Sequence, residues 1–517
     1  MSSGPRSTTT LPPGPESRVM FSASDCACIG MAPMRARAAA KGSWARPVAA
    51  RASSGGISAS TSAPVPIAAI IRNQSRRVLL VAVRLTVHPP SRVAVQYVPG
   101  AVLSVSTHKR FSGRARLPRR LHVGPMSASF SPAASAPVAS QSRIASIDLI
   151  RGAVMVLMAI DHVRVYSGLP AGGPTAGIFF TRWVTHFVAP AFIFLAGTSA
   201  FFYGRKHSNL SRFLFVRGVW LVLLELTVIR VAWTFNLDFA NYLLAGVIWV
   251  IGWCMLLMAV LVRRRVRTIA IIGLAIITLH NALLPPLLSA VPALGDLWKV
   301  LYIGFFNGPV GGTSLIVLYT IVPWIGVMAA GYAFGTVLTM EPARRNGICV
   351  RIGLGAIALF VVLRGTNLYG DPRPWSATTP LPAPLSFLNT TKYPASLSFL
   401  LMTLGPTIAL IPLLDRARGR IANWLAIFGR VPFFYYVLHI PLIHALALIV
   451  SKIRLGEVSP WLFTNHPMGN PPAPDGYTWS LGLLYLVWAV SVLLLYFPCR
   501  WYADLKARRQ DWWLKYL

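Results

Sequence analysis

Acidic residues are scarce in this chain: of 517 residues only 14 are Asp or Glu, against 49 Lys and Arg, and all charged residues together make up 12%. The apolar types make up 55%, and a mean hydropathy of +0.58 excludes an ordinary water-soluble enzyme. Cysteine is sparse too. Cys26 and Cys28 lie near the N-terminus, and Cys254, Cys349 and Cys499 stand singly in or beside apolar segments, so neither a disulfide framework nor a metal site is indicated. The first thirty residues contain no apolar run, which argues against a secretory signal peptide. No repeat of 20 to 50 residues is evident.

The formal net charge of +35 points at first to nucleic acid, so its distribution matters. Residues 1–140 hold 18 basic and two acidic residues, Glu16 and Asp25, in a background rich in Arg, Ala, Ser, Pro and Val with no sustained periodicity. They read as a disordered basic region. Met126 opens a short polar lead into the first hydrophobic segment, and an over-extended N-terminus with the true start near Met126 is the preferred account of the region.

Residues 141–517 read as an all-α, polytopic membrane domain. Ten apolar segments recur, at 147–167, 178–203, 213–235, 240–262, 268–291, 313–338, 348–364, 394–414, 424–450 and 478–499. Each is near the roughly 20 residues that cross a bilayer, and continuous rather than alternating apolarity selects helices. Basic residues cluster after the even-numbered segments, among them Arg205, Lys206, Arg263, Arg264, Arg265, Arg344, Arg345, Arg416, Arg418 and Arg500. Those loops are expected on the cytoplasmic side of the cell's inner membrane, with both termini inside. The loops lack interleaved aromatics, so the basic excess reads as topology and nucleic acid is not an expected partner.

Ionisable residues within the segments are costly in lipid and therefore informative. In the first segment Asp148 and Arg151 are three apart at the inner end, and Asp161, His162 and Arg164 lie at the outer end. Eleven residues separate Arg151 from His162, about three helical turns, which returns both to one face. The second segment carries Arg182 near the outer rim and His186 about two turns inside. The third holds Glu225 and Arg230, the fifth His280 and Asn281, and the ninth Arg430, His439 and His444. Together they outline a polar path that is basic at the cytoplasmic end and rich in His and Asp outside. A proton-coupled transporter or flippase of a small anion or lipid-linked sugar fits such a path. So does an enzyme that passes a group from a cytoplasmic donor to an acceptor beyond the membrane.

The stretches RIASIDLIRGAVMVLMAIDHVR, FFTRWVTHFVAPAFIFLAGTSAFFYGR, PWIGVMAAGYAFG, YGDPRPWS, LSFLNTTKYPASLSFLLMTLGP and FGRVPFFYYVLHIPLIHAL resemble the bacterial relatives of heparan-alpha-glucosaminide N-acetyltransferase. The resemblance implies a multi-pass acyltransferase that takes acetyl from cytoplasmic acetyl-CoA, its co-substrate, and delivers it to an amino or hydroxyl group of a sugar on the opposite face. It implies that Arg151 and Arg430 hold the donor's phosphates. His162 or His186 would act as nucleophile or base, with His162 oriented by a carboxylate such as Asp161 or Asp148. Arg182, Asp371, Arg373 and Trp375 would meet the acceptor. The bilayer and a glycan or small-molecule acceptor are the expected partners, and a homo-oligomer is compatible with this scheme.

Overall fold

The computed structural model describes residues 144–517 except 174, 311–312, 378–380, 469–470, 510, 512–513 and 515–517. The disordered basic region and the start at Met126 lie outside the described residues.

Most of the described chain is helical. It opens with α1 (Ala145–Ser167), α2 (Ala176–Trp183) and α3 (Val188–Lys206), the last two joined by a 3-10 turn. Next come α4 (Leu210–Leu224), a π turn at Glu225–Ile229, and α5 (Arg230–Thr234). Strand β1 (Leu243–Ala245) leads into α6 (Val247–Leu261) and α7 (Val266–Ala290). Strands β2 (Phe306–Val310) and β3 (Thr313–Val317) lead into α8 (Ile321–Leu338) and α9 (Pro342–Thr366). The short α10 (Ala383–Leu388), α11 (Leu397–Ala409), α12 (Ile411–Arg416) and α13 (Arg420–Arg430) follow. Two long helices, α14 (Pro432–Leu455) and α15 (Leu481–Arg508), close the fold.

The chain is thus a multi-pass membrane protein, with seven described helices long and apolar enough to cross a bilayer: 176–206, α7, α8, α9, 397–416, α14 and α15. The remaining three expected segments are helical in a different way. Helix α1 carries five ionisable residues, α4 and α5 are separated by the π turn, and α6 has 15 residues. Two segments expected as helix, 240–262 and 313–338, instead begin with a strand, at Leu243 after a short turn and at Thr313. There β1 pairs parallel with β3 and β2 pairs antiparallel with it, giving the order β1-β3-β2. Short β-branched and apolar runs cannot be assigned to helix or strand by period alone, so this small sheet within an otherwise helical domain leaves no mark in the sequence pattern. The ninth segment is also divided, because Val431 leaves helical geometry (φ −131°, ψ 48°) and Pro432 starts a new helix at its first position.

Small residues set the crossings. A methyl group on Gly197 of α3 would collide with the Met328 carbonyl of α8, and one on Gly331 with the Phe194 carbonyl, so these two backbones touch. Gly152 of α1 and Gly429 of α13 repeat the arrangement against the Leu425 and Asp148 carbonyls. Helix α8 is the centre, with 72% of its apolar window buried, whereas 17% is buried in α7 and in α9. The outer faces of those two helices expose Ile271, Leu274, Val361 and Val362, as a lipid-facing surface requires.

The connections that follow the third and ninth expected segments interlock with each other and with the end of α1. Asn236 donates to the Phe463 carbonyl, Asn465 to Asp238, and Tyr477 to the Tyr166 carbonyl; Trp479 N–H donates to the Ser167 carbonyl. Within this layer His466 lies 3.9 Å from the Trp461 ring centroid and 5.7 Å from that of Tyr166. Burial pushes its imidazole down from 6.5 to about 4. Above pH 6.5 neither the folded nor the unfolded state holds that proton. Between 6.5 and 4 only the unfolded chain binds it, so His466 destabilises the fold progressively as pH falls through that window. The melting temperature in detergent is expected to fall by several degrees from pH 7 to pH 4.5, and less steeply in His466→Gln.

Candidate active site

Helix α1 places Asp161 and His162 beside a small cavity, about 50 Å³, that is also lined by Glu225, Trp233, Tyr319, Tyr393 and Tyr436. The ends of β1 and β3 complete its wall through Leu244, Gly246 and Leu318. One water takes up roughly 10–15 Å³ of such a space, so this is room for a few waters or a two-carbon acyl group, and too little for a pyranose ring.

His162 Nδ1 lies 2.6 Å from Nε2 of His439 on α14, with the two rings stacked at 4.8 Å and 24°. The Trp233 ring meets His162 edge-on at 4.8 Å and 69°. His439 is fully buried, and its own Nδ1 lies 2.6 Å from the Tyr436 carbonyl oxygen. No hydrogen bond joins His162 to a carboxylate among the described residues. Asp161 instead accepts from Arg164 Nε at 2.8 Å, and Arg164 also donates to the Leu169 carbonyl at 3.0 Å. Adjacent residues on a helix diverge by about 100°, so Asp161 cannot reach the ring beside it.

Glu225 is the second acid in the cavity and stands at the first position of the π turn. Tyr436 donates to Glu225 Oε2 at 3.3 Å, and a side chain on Gly246 would collide with Oε1. The single-turn π geometry is a recurrent device at functional sites, since it turns one side chain off the regular helical register. The sequence marks Glu225 and His439 as ionisable groups in lipid but gives neither a place in the site. Their cost in the membrane is the one signal available for both.

His186 lies outside this lining. It occupies the 3-10 turn between α2 and α3, is buried, packs edge-on to Phe399 at 5.3 Å, and neither ring nitrogen has a hydrogen-bond partner among the described residues. Arg182 lies over one cavity-lining ring, Tyr393, at 5.9 Å. Lys392 lies 5.3 Å from the same ring centroid and 5.9 Å from that of Tyr319. Two cations therefore back the tyrosine wall. Lys392 is not among the expected site residues because its loop carries no periodic or charge pattern that marks it.

The three loop residues expected at the acceptor have structural partners. Asp371 accepts from Thr391 N–H at 2.9 Å, Thr391 Oγ1 at 2.6 Å, Ser396 Oγ at 3.0 Å and Arg373 N–H at 3.0 Å, and pairs with Arg364 at 3.7 Å. It fastens loop 371–376 to the loop that carries Lys392. Arg373 Nε donates to Thr391 Oγ1 at 3.0 Å, and Trp375 packs edge-on to Phe387 at 5.3 Å.

At the far end of α1, Arg151 pairs with Asp148 at 3.6 Å and donates to Ser199 Oγ. Arg430 is exposed and follows Gly429, the residue packed on the Asp148 carbonyl. The α1–α13 crossing thus brings both expected donor-binding arginines to one end, about three turns from His162.

Residues 143–367 match the family model described as "Heparan-alpha-glucosaminide N-acetyltransferase, catalytic". The match ends at the close of α9, so His439 and Arg430 lie beyond it. No curated protein matches the chain.

Proposed function

From the premise that residues 143–367 belong to the heparan-alpha-glucosaminide N-acetyltransferase catalytic family, we propose that the protein is a membrane-embedded acetyltransferase using acetyl-CoA. The observation that carries the reading is that His162, which lies in the matched region, stands on an acyl-sized cavity. In this reading ten segments cross the inner membrane with both termini cytoplasmic, and the Arg151–Arg430 end faces the cytoplasm. Those two arginines bind the donor's phosphates, and the pantetheine arm carries the thioester toward His162.

At the cavity, His162 serves in one of two ways. As nucleophile, Nε2 attacks the thioester carbonyl, the C–S bond breaks and coenzyme A leaves as thiolate; the acceptor then attacks the acetyl carbonyl, the C–Nε2 bond breaks, and the acceptor's proton passes to the freed Nε2. As base, Nε2 takes the proton of the acceptor's amino or hydroxyl group while that group attacks the thioester carbonyl, and the C–S bond breaks with coenzyme A leaving as thiolate. Arg182, with Lys392 beside it, lies on the acceptor side of the tyrosine wall, and the loop fastened by Asp371 holds Lys392 there. The acceptor is a sugar whose reacting group enters the cavity while its ring stays at the rim.

The dimensions give a direct test. Purified protein in detergent is expected to turn over acetyl-CoA at least about tenfold better, by kcat/KM, than hexanoyl-CoA, because four further methylenes do not fit the cavity. Equal use of both donors would contradict the assignment of the acyl group to this cavity.

A further inference from the structure

His439 does not line the cavity, yet it contacts the histidine that does. Its Nδ1 lies 2.6 Å from the Tyr436 carbonyl oxygen and 3.2 Å from that of Tyr435. A carbonyl oxygen only accepts, so Nδ1 of His439 carries a proton and, in the neutral ring, Nε2 holds a lone pair. That Nε2 stands 2.6 Å from His162 Nδ1. Two lone pairs cannot share so short a contact, so His162 donates from Nδ1 and its own Nε2 is left bare. From this polarity chain, running from the Tyr436 carbonyl through His439 to His162, we infer that His439 is a positioning residue that holds His162 in the Nδ1–H tautomer with Nε2 free to react.

The geometry around His439 is suited to that task. Its ring lies between Tyr435, at 5.5 Å and 20°, and His162, at 4.8 Å and 24°, and its Tyr436 acceptor is backbone of its own helix. Rotating the ring would break the bond to Tyr436 and strip the bond to His162 at once. The arrangement does for His162 what a carboxylate does in other histidine sites: it fixes which nitrogen is protonated and how the ring is aimed. It differs in that a neutral acceptor is used, while the nearby carboxylate of Asp161 is engaged by Arg164. The inference rests on the reading of His162 as the acetyl-transfer group, whose two roles both require the Nε2 lone pair.

Nitrogen-15 NMR of the full chain in lipid, with labelled histidine and the His162 signal assigned by its loss in His162→Gln, reads the tautomer without reference to activity. The wild type is expected to show His162 protonated at Nδ1 and bare at Nε2. His439→Leu removes the acceptor, and the His162 proton is expected to move to Nε2, the nitrogen that free histidine prefers. In acetyl transfer His439→Leu is expected to lower kcat by about 10–100-fold with KM for acetyl-CoA within about twofold of wild type. His439→Gln, whose side-chain carbonyl accepts from Nδ1–H, is expected to restore both the tautomer and most of kcat. A wild-type His162 protonated at Nε2, or a tautomer unchanged in His439→Leu, would overturn the inference. If acetyl transfer is absent from the wild type, the reading of His162 as catalyst fails, and the tautomer measurement still decides the role of His439.

Discussion

Replacing His162 by alanine is expected to lower acetyl turnover by about 10²–10⁴-fold, the usual worth of a positioned proton-transfer group, and by more if it is the acetyl acceptor. The loss should fall on kcat. His162 is remote from the arginine end of α1, so KM for acetyl-CoA should change little. His186→Ala is the informative comparison, because sequence alone leaves the two histidines equal. His186 is buried outside the cavity lining, and its removal is expected to lower kcat by less than about tenfold, with melting temperature as the more affected quantity. Single-turnover kinetics with radiolabelled acetyl-CoA checks both. A larger loss of kcat in His186→Ala than in His162→Ala would reverse the assignment.

The second large effect is structural. Gly152 and Gly429 let α1 and α13 touch backbone to backbone, and a methyl on either would collide with a carbonyl of the other helix. A backbone carbonyl has no rotamer by which to yield, so Gly152→Ala must push the helices apart. The expected cost is about 1–3 kcal/mol or more, with Gly429→Ala similar. Because both substitutions open one crossing, the double variant should cost less than the sum of the two. The displacement would also separate Arg151 from Arg430, so KM for acetyl-CoA should rise in the same variants. Thermal melting in detergent and donor titration measure the two consequences, and an unchanged melting temperature in Gly152→Ala would contradict the close crossing.

The membrane architecture is legible in the sequence because burial in lipid leaves a long and redundant signal. Each of the ten apolar segments contains helix, and the seven spans long and apolar enough to stand by composition alone are among them. What escapes the sequence is local. The π turn at Glu225 and the break at Val431 depend on which neighbour satisfies a freed backbone or side chain. The three-residue strand β1 is shorter than any periodicity can mark. The site divides along the same line. Asp161 and His162 stand out because ionisable residues are rare in spanning segments. The His162–His439 contact joins residues 277 apart in sequence and is invisible without the α1–α14 packing. The loop residues Asp371 and Trp375 are legible as a motif, and the work of Asp371 in holding the neighbouring loop is not.

The central claim is that the protein consumes acetyl-CoA on one side of the membrane and acylates a sugar on the other. Proteoliposomes loaded with acetyl-CoA, with glucosamine supplied only outside, test it most directly. The account predicts acetylated sugar in the outer medium, in step with free coenzyme A thiol released inside and lost in His162→Ala. Movement of sugar or acetate across the bilayer with no release of coenzyme A would contradict it and identify a transporter.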